Sequence, residues 1–420
     1  MRKIIASAVV LVAALALTVP GALGGATQTP GVTAKSITIG GTFPLTGPVA
    51  SYAPISVGIK TYFSYINSRR GPDGKRGIMG RQVIYKAYDD GYNPANTVQL
   101  TRRLVEQDKV FATVGQLGTE QNLAIRAYMN QQKVPHTLLS TGASYWGSQY
   151  KEFPWTIGWQ PDYIAEGRLY GQHIKANSNG KKIAILYQND DYGKDYLYGF
   201  RSALGKTYAD ANIVAAEAYE ATAPNVTSQM VKLRASGAPV LMIFATPPSS
   251  IRAYAAGKAL GYNPQEIYLN SVAATAFWMN LTVGAAGAPY VNGSYSIVYQ
   301  KDPANPTQAN DPAIREYKQI LEKYAPGTNA ANGLYIYGFG VAETFVQAMY
   351  KAGKNPTRAG YMAALLSLNN TNRFLLPGVT MRTSKSDHFI VSQMRLQRFN
   401  ATAGSWIPAG PLIEGRPGRP

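Results

Sequence analysis

The chain has 420 residues, with 41 Lys and Arg against 23 Asp and Glu, so its formal net charge is +18 at pH 7. Its hydrophobic fraction of 45% is typical of a globular protein, and its length is sufficient for two domains. The absence of cysteine excludes disulfides, thiolate catalysis and cysteine metal sites. Because no dense Lys/Arg run or zinc-finger spacing occurs, the basic balance indicates a solvated surface, and we predict no nucleic-acid partner.

The N-terminus has the pattern of a secretory signal peptide over residues 1–26. Arg2 and Lys3 precede an apolar stretch over residues 4–19, and small residues follow as far as Ala26. A membrane anchor is the alternative, but the stretch is shorter than the ~20 residues needed to span a bilayer. The chain also lacks the cysteine of a lipid attachment site. We therefore predict a free periplasmic protein, exported by a cleavable signal peptide.

Strand-like and helix-like segments alternate along the remaining chain. Ile37 and Ile39 open the first strand, and Asn93-Pro94 supplies a cap and a first-turn proline for an early helix. Helices are also expected at 312–324, 334–352 and 357–367. A second run of the pattern begins near residue 160, so the sequence predicts an α/β fold with parallel sheets in two lobes. The Pro/Gly-rich tail over residues 404–420 is expected to be disordered.

Residues 109–146 hold two strand ends, each followed by small and hydroxyl residues. One turn covers residues 115–119 and precedes a helix, and the other covers residues 140–144. First-turn amides of a helix lack internal partners and favour anions. Ligands of doubly wound sheets lie at the carboxyl ends of strands. The two turns therefore predict a carboxylate site.

Five motifs carry a resemblance to a known family through their order and spacing. They are Phe43-Pro44-Leu45-Thr46-Gly47, Tyr88-Asp89-Asp90 with Asn93-Pro94, the turn at 114–119, the turn at 140–143, and Asp191-Tyr192-Gly193. With these motifs the chain resembles the type I periplasmic solute-binding proteins of the leucine/isoleucine/valine-binding family, the receptors of ABC importers. The resemblance implies two Rossmann-like lobes joined by three crossings and closing like a hinge. It places the N-terminal lobe at 33–157 plus 293–376 and the C-terminal lobe at 160–292 plus 377–403.

The same resemblance implies a set of ligand-binding residues. The ligand carboxylate would be held in the first lobe at Gly118, Thr119, Ala143 and Ser144, although ordinary helix capping is the alternative for the two hydroxyl residues. Tyr52 would lie over the ligand side chain. From the second lobe, one tyrosine and two loops would close over the ligand, at Tyr192, Thr246 and Ser271.

One departure from the family pattern concerns ligand charge. Amino-acid binders of this family place an acidic residue after the strand at 267–269, where this chain has Asn270-Ser271. An unpaired buried ammonium costs several kcal/mol. A branched-chain or other amino acid therefore competes with an aromatic or short acyl carboxylate as the expected ligand. Asp190 or Asp191 is the alternative source of the missing charge.

No pattern of catalysis, cofactor binding or metal binding accompanies these motifs. There is no Gly-x-Gly-x-x-Gly run and no complete nucleophile elbow, and the three histidines lack metal-ligand spacing. We therefore predict no enzyme, no cofactor and no metal. The expected partners are a small carboxylate and an inner-membrane ABC permease, and the expected state is a monomer. A sensor of the same fold and a secreted α/β enzyme are the alternatives.

Overall fold

The computed structural model describes residues 29–415, and its first lobe is a helix-covered parallel sheet. The predicted signal peptide at 1–26 lies outside the described residues. The first-lobe elements are β1 Ser36–Phe43, α1 Pro54–Ser68, β2 Gln82–Asp89, α2 Pro94–Arg102, β3 Thr113–Val114, α3 Thr119–Gln131, β4 His136–Leu139, α4 Tyr145–Ser148 and β5 Thr156–Gly158. The strands pair in parallel in the order β2-β1-β3-β4-β5. Their carboxyl ends therefore meet at one edge of the sheet.

The second lobe repeats the arrangement with a larger sheet. Its elements are α5 Tyr163–Asn177, β6 Ile183–Gln188, α6 Asp191–Leu204, α7 Lys206–Asn212, β7 Ile213–Tyr219, α8 Thr227–Ala235, β8 Val240–Phe244, α9 Pro247–Ala259, β9 Glu266–Leu269, α10 Ala276–Ala286, α11 Ala288–Val291 and β10 Tyr295–Val298. Strands β6 to β10 are parallel, and β8 is buried along its whole length. Helices therefore cover both faces, as a parallel sheet requires.

The last quarter of the chain contributes to both lobes. Its elements are α12 Pro312–Tyr324, α13 Gly333–Ala352, α14 Arg358–Leu365, β11 Asn369–Asn370, β12 Met381–Arg382, β13 Gln393–Asn400 and β14 Ser405–Glu414. Helices α12 and α13 pack on α1 in the first lobe. Strands β13 and β14 extend the second sheet, whose order is β14-β13-β10-β9-β8-β6-β7. The predicted α/β fold with two lobes is confirmed.

Two sequence predictions need correction at this level. Part of the tail predicted to be disordered forms β14 over Ser405–Glu414, antiparallel to β13, and residues 416–420 of that tail lie outside the described residues. Prolines are tolerated there because β14 is an edge strand, and Trp406 packs on Phe399. The strand pairing also places the borders between the lobes elsewhere than the predicted residues 293 and 376. Strand β10 lies in the second sheet, whereas β12 pairs with β11 outside it.

Helix ends follow local sequence signals closely. Asn93 accepts a hydrogen bond from the backbone N–H of Ala95 and caps α2, with Pro94 in the first turn, as predicted. Asp311 caps α12 in the same way, and that helix covers the predicted residues 312–324. Among residues 29–415, no helix has the length and apolar character needed to cross a bilayer.

Glycines allow α1 and α13 to approach at backbone distance. A Cβ added at Gly338 would lie 2.4 Å from the carbonyl oxygen of Ile55, and one at Gly58 would lie 2.3 Å from that of Tyr335. Neither backbone can move without separating the two helices. The contact therefore holds the last quarter of the chain on the first lobe.

We expect Gly338→Ala to lower the free energy of unfolding by about 1–3 kcal/mol, because the added methyl group overpacks this helix crossing. Gly284→Ala is the control, since it is also helical but has open space around its Cβ position. The control should be neutral or stabilising by about 0.5–1 kcal/mol. Urea unfolding of both variants measures the difference, and equal stability of the two would contradict the packing argument.

Candidate ligand-binding site

A cavity lies between the two lobes at the carboxyl ends of their strands. It encloses about 600 Å³ of space outside protein atoms, part of it open to solvent. The lining residues are Tyr52, Ile55, Tyr92, Leu117, Gly118, Thr119, Ser140, Thr141, Gln160, Tyr163, Tyr192, Thr246, Ser271, Val272, Thr275, Tyr299, Gln300, Leu334 and Tyr337. Six of the eight residues predicted from sequence are among them, and the other two, Ala143 and Ser144, are not.

The first-lobe side of the cavity presents paired hydroxyls at a helix N-terminus. Thr119 is the first residue of α3, and its Oγ1 lies 2.7 Å from Oγ1 of Thr141, in the turn after β4. Gly118 precedes the helix with φ of +100°, and a Cβ there would lie 2.0 Å from Oε1 of Gln121. Thr119 does not cap α3, because no side chain caps that helix. First-turn amides and two hydroxyls thus meet in one place, which suits an anion.

Six tyrosines line the cavity. Two of them, Tyr52 and Tyr192, were predicted from sequence, and the other four are Tyr92, Tyr163, Tyr299 and Tyr337. The rings of Tyr163 and Tyr192 meet edge-to-face, with centroids 5.1 Å apart. Burial raises the pKa of Tyr52 and of Tyr192 well above the usual range, so both phenols stay neutral. The wall therefore offers aromatic faces and neutral hydroxyls.

Ala143 and Ser144 face away from this cavity. The backbone N–H of Ser144 donates to Oδ2 of Asp195 in the second lobe at 2.8 Å, and the Ser144 hydroxyl has no partner among the described residues. Ala143 packs with Leu139 and Trp146 in a small apolar cluster. In this conformation neither residue lines the cavity, and a protein carboxylate occupies the amide of Ser144, so their predicted contact with a ligand stays a prediction. Thr141 and Ser140 of the same turn line the cavity instead.

The second-lobe side is polar but carries no charge at the cavity surface. Asn270 donates to the Tyr192 hydroxyl, and the backbone N–H of Thr246 donates to the Tyr219 hydroxyl at 3.0 Å. Ser271 opens the short turn after β9. Among the described residues that line the cavity, none is Asp, Glu, Lys, Arg or His. A charged ligand group can therefore be met here only by dipoles and hydroxyls.

Glu166 is a buried carboxylate that lies behind Ser271 on this side. It is 1% exposed in the first turn of α5, and its oxygens accept from the backbone N–H and the hydroxyl of Ser271, each at 2.7 Å. Tyr170 and Tyr196 hydroxyls add further contacts at 2.7 and 2.8 Å. Burial raises the pKa of Glu166, and these donors oppose the rise.

Asp190 and Asp191, the alternatives for a cavity charge, lie outside the cavity lining. Asp190 caps α6 through the backbone N–H of Gly193 and accepts from Gln188. Both aspartates line a neighbouring cleft with Tyr92 and Glu120. Burial raises the pKa of Asp190 to about 6, and the carboxylates of Glu120 and Asp191 add to the rise.

Two carboxylates fasten the lobes together beside the cavity. Glu120, in the first turn of α3, accepts from the backbone N–H of Asp191 at the start of α6, at 3.0 Å. Asp195 in α6 accepts from the N–H of Ser144, which precedes α4. Each lobe thus places an acidic side chain on a helix N-terminus of the other lobe. We name these two hydrogen bonds the cross-lobe latch, because they join the two lobes beside the cavity.

Sequence reasoning missed several lining residues and their support. Thr141 lies within the predicted turn at 140–144, and its hydroxyl was a detectable signal, but the family resemblance placed the ligand contacts of that turn at Ala143 and Ser144. Gln160 and Tyr163 lie directly after β5, where the chain crosses between lobes, and Tyr299 follows β10. The family resemblance implied crossings between the lobes, so residues beside those crossings were candidates for the cavity lining. Glu166 carried no such signal, because its partner Ser271 is 105 residues away.

Comparison with known proteins identifies the family. A family model described as periplasmic binding protein matches residues 36–404. The chain belongs to this periplasmic binding protein family. The family is extracytoplasmic and binds substrates. Among the described residues, no group of three or more His, Cys, Asp or Glu side chains is placed to hold a metal ion.

Relatives of this periplasmic binding protein differ in what their names say they bind. An amino acid binding protein of Pseudomonas aeruginosa is 24% identical over 285 residues, covering 67% of this chain and 71% of the relative. A Leu/Ile/Val-binding protein homolog of Brucella melitensis is 25% identical over 210 residues, covering 49% of this chain and 53% of the relative. At these identities, neither name transfers a ligand to this chain.

Solved structures share the fold over nearly the whole length. A branched-chain amino acid ABC transporter protein from Thermus thermophilus with bound valine superposes with a TM-score of 0.76 at 17% identity, covering 90% of this chain and 96% of that chain. A fatty acid ABC transporter substrate-binding protein from Thermomonospora curvata gives 0.74 at 19% identity, covering 92% and 94%. One fold therefore serves ligands with and without an ammonium group.

Proposed function

We propose that this periplasmic binding protein is the solute receptor of an ABC importer and captures a small carboxylate with an apolar body between its lobes. The observation that carries the proposal is the pairing of Thr119 and Thr141 at the N-terminus of α3, facing a tyrosine-lined cavity. The carboxylate would accept hydrogen bonds from these hydroxyls and from first-turn amides. The apolar body would pack on the tyrosines.

Ligand capture is coupled to closure in this proposal. The carboxylate docks first on the first lobe, and the second lobe then brings Tyr192, Thr246 and Ser271 over it by a hinge motion. The ligand favours closure only by its excess affinity for the closed form. The cross-lobe latch adds contacts that the open form lacks. The closed protein would then present both lobes to the two permease subunits, and the free receptor would be a periplasmic monomer.

The charge-free lining favours ligands whose second polar group is neutral. A ligand ammonium would meet no carboxylate at the cavity surface, and an unpaired buried ammonium costs several kcal/mol. Aromatic and short acyl carboxylates avoid this cost. Amino acids remain among the ligands to be tested. On the second-lobe side of the cavity, Ser271 offers a hydrogen-bond acceptor, and the buried carboxylate of Glu166 lies behind it.

Closure is expected to take up a proton at Asp190, so ligand affinity should rise as the pH falls. In the closed form the pKa of Asp190 is about 6, and exposure in the open form returns it towards the ordinary value of about 3.9. The closed form therefore binds more protons between these values. We expect up to about fourfold tighter binding at about pH 5.5 than at about pH 7.5.

Calorimetric titration at the two pH values measures this difference. Asp190→Asn cannot take up the proton, so the variant should bind with the same affinity at both. If wild type and variant respond to pH equally, the proton is taken up elsewhere and Asp190 does not titrate on closure.

A thermal-shift screen of residues 27–420 tests the proposed function. The panel holds branched-chain and polar amino acids, benzoates, short acyl acids and long fatty acids. A ligand that binds only the folded protein raises the unfolding midpoint by mass action. We expect shifts with carboxylates that have compact apolar bodies. Shifts confined to sugars or cations in a counter-panel would contradict the proposal.

A further inference from the structure

Ser271 is held in one hydrogen-bonding state by a carboxylate that never reaches the cavity. The hydroxyl of Ser271 donates to Oε2 of Glu166 at 2.7 Å, and its backbone N–H donates to Oε1 at 2.7 Å. An ionised carboxylate only accepts hydrogen bonds, and a serine hydroxyl has a single hydrogen to give. The hydrogen of Ser271 is therefore committed to Glu166.

The Ser271 hydroxyl has no hydrogen left for a ligand on its cavity side. With its hydrogen turned away, Ser271 presents only lone pairs to a ligand, so it can accept a hydrogen bond and cannot donate one. A ligand acceptor placed against it would face lone pairs and lose the hydrogen bonds it made to water, at about 1–3 kcal/mol. A ligand donor would be satisfied.

The residues around Glu166 hold its carboxylate in place, so the hydrogen bond from the Ser271 hydroxyl is maintained. Glu166 is 1% exposed, and its two oxygens are also contacted by the hydroxyls of Tyr170 and Tyr196 at 2.7 and 2.8 Å. Burial raises the pKa of Glu166, but its position in the first turn of α5 and the donors around it favour the negative charge. The carboxylate is thus fixed from both sides, and the only part of this network that reaches the cavity lining is Ser271.

We infer that Glu166 is a specificity-determining positioning residue, which makes Ser271 an obligate acceptor and so selects carboxylate ligands that carry a hydrogen-bond donor at their second-lobe end. Such a donor is a hydroxyl, an amide N–H or an amine. The inference rests on the proposed function, because it assumes that the carboxylate lies on the first lobe. Glu166 acts through Ser271 and does not contact the ligand.

Matched ligand pairs test the inference by calorimetry at about pH 8, where carboxylates are ionised. One pair is 4-hydroxybenzoate and 4-fluorobenzoate, and the other is leucine and 4-methylpentanoate. In each pair only the first ligand has the donor. For the pair that binds, we expect the donor ligand to bind at least tenfold tighter than its partner.

Glu166→Gln should remove or reverse that preference. The new amide can donate to the Ser271 hydroxyl, whose hydrogen then turns to the cavity and makes Ser271 a donor. Glu266→Gln is the matched control, because Glu266 also accepts from a serine of the same lobe, Ser178, and Ser178, unlike Ser271, does not line the cavity. The control should keep the preference of the wild type. A general loss of stability weakens both ligands of a pair alike and so does not change the preference between them.

The binding results distinguish a failure of the proposed function from a failure of the inference about Glu166. If no carboxylate of either pair or of the thermal-shift panel binds, the proposed function fails and the inference with it. If carboxylates bind without preference for the donor, or if Glu166→Gln keeps the preference, the inference alone is overturned. Should Glu166→Gln fail to fold, Ser271→Ala serves instead, since removal of the acceptor must also abolish the preference.

Discussion

Alanine at both Thr119 and Thr141 is expected to weaken carboxylate binding by at least tenfold and by as much as about a hundredfold. One of the two hydroxyls donates its hydrogen to the other, so the pair has one hydrogen left for the ligand carboxylate, and one such charge-assisted bond contributes about 1.5–3 kcal/mol. The two oxygens lie 2.7 Å apart, close enough to share one anion. Isothermal calorimetry on the folded double variant measures the loss.

Serine at the same two positions is the control for this prediction. The Thr119→Ser and Thr141→Ser double variant keeps both hydroxyls and loses only methyl groups, so most of the affinity should return. Ser144→Ala removes a hydroxyl outside the cavity lining and should cost far less than the double alanine change. Unchanged affinity in a folded double alanine variant would contradict the placement of the carboxylate.

Removal of the cross-lobe latch by Glu120→Ala with Asp195→Ala is expected to speed ligand release by tenfold or more. Both hydrogen bonds join one lobe to the other, and opening of the cleft would break them, so their loss should destabilise the closed form without changing the cavity lining. The Asp195 bond should dominate, because Asp195 is 1% exposed whereas Glu120 is partly solvated. Stopped-flow displacement measures the release rate.

Asp210→Ala is the control for charge removal on the second lobe. Asp210 pairs with Arg201 and Lys206 at the surface and makes no cross-lobe contact among the described hydrogen bonds. Small-angle scattering gives an independent readout, since the latch variant with ligand should have a larger radius of gyration than the wild type with ligand. A release rate equal to that of the control would show that the two bonds do not stabilise closure.

Local signals in the sequence were sufficient for the fold class and for one of the two threonines of the proposed anion site. Asp311 with Pro312 and Asn93 with Pro94 fixed helix starts, because caps act within one turn. The turn that contains Thr119 was predictable for the same reason. When a helix begins just after a strand ends, its first backbone N–H groups point out from that edge of the sheet. These features depend on neighbours within a few residues.

Features that depend on distant partners were not predictable. The amide of Ser144 is taken by Asp195, which is 51 residues away in the other lobe, so no local pattern could show that it faces away from the cavity. Strand β14 was missed because its composition is that of a loop, and only pairing with β13 makes it a strand. Glu166 meets Ser271 only when α5 packs beside β9.

The most direct test of a carboxylate held between closing lobes compares an acid with its own primary amide. The acid that gives the largest thermal shift and its amide differ by the charge and by little else, so calorimetry of the pair isolates the anion site. We expect the acid to bind at least a hundredfold tighter than the amide, or about 2.7 kcal/mol. Equal affinity of acid and amide would contradict the anion site at Thr119 and Thr141.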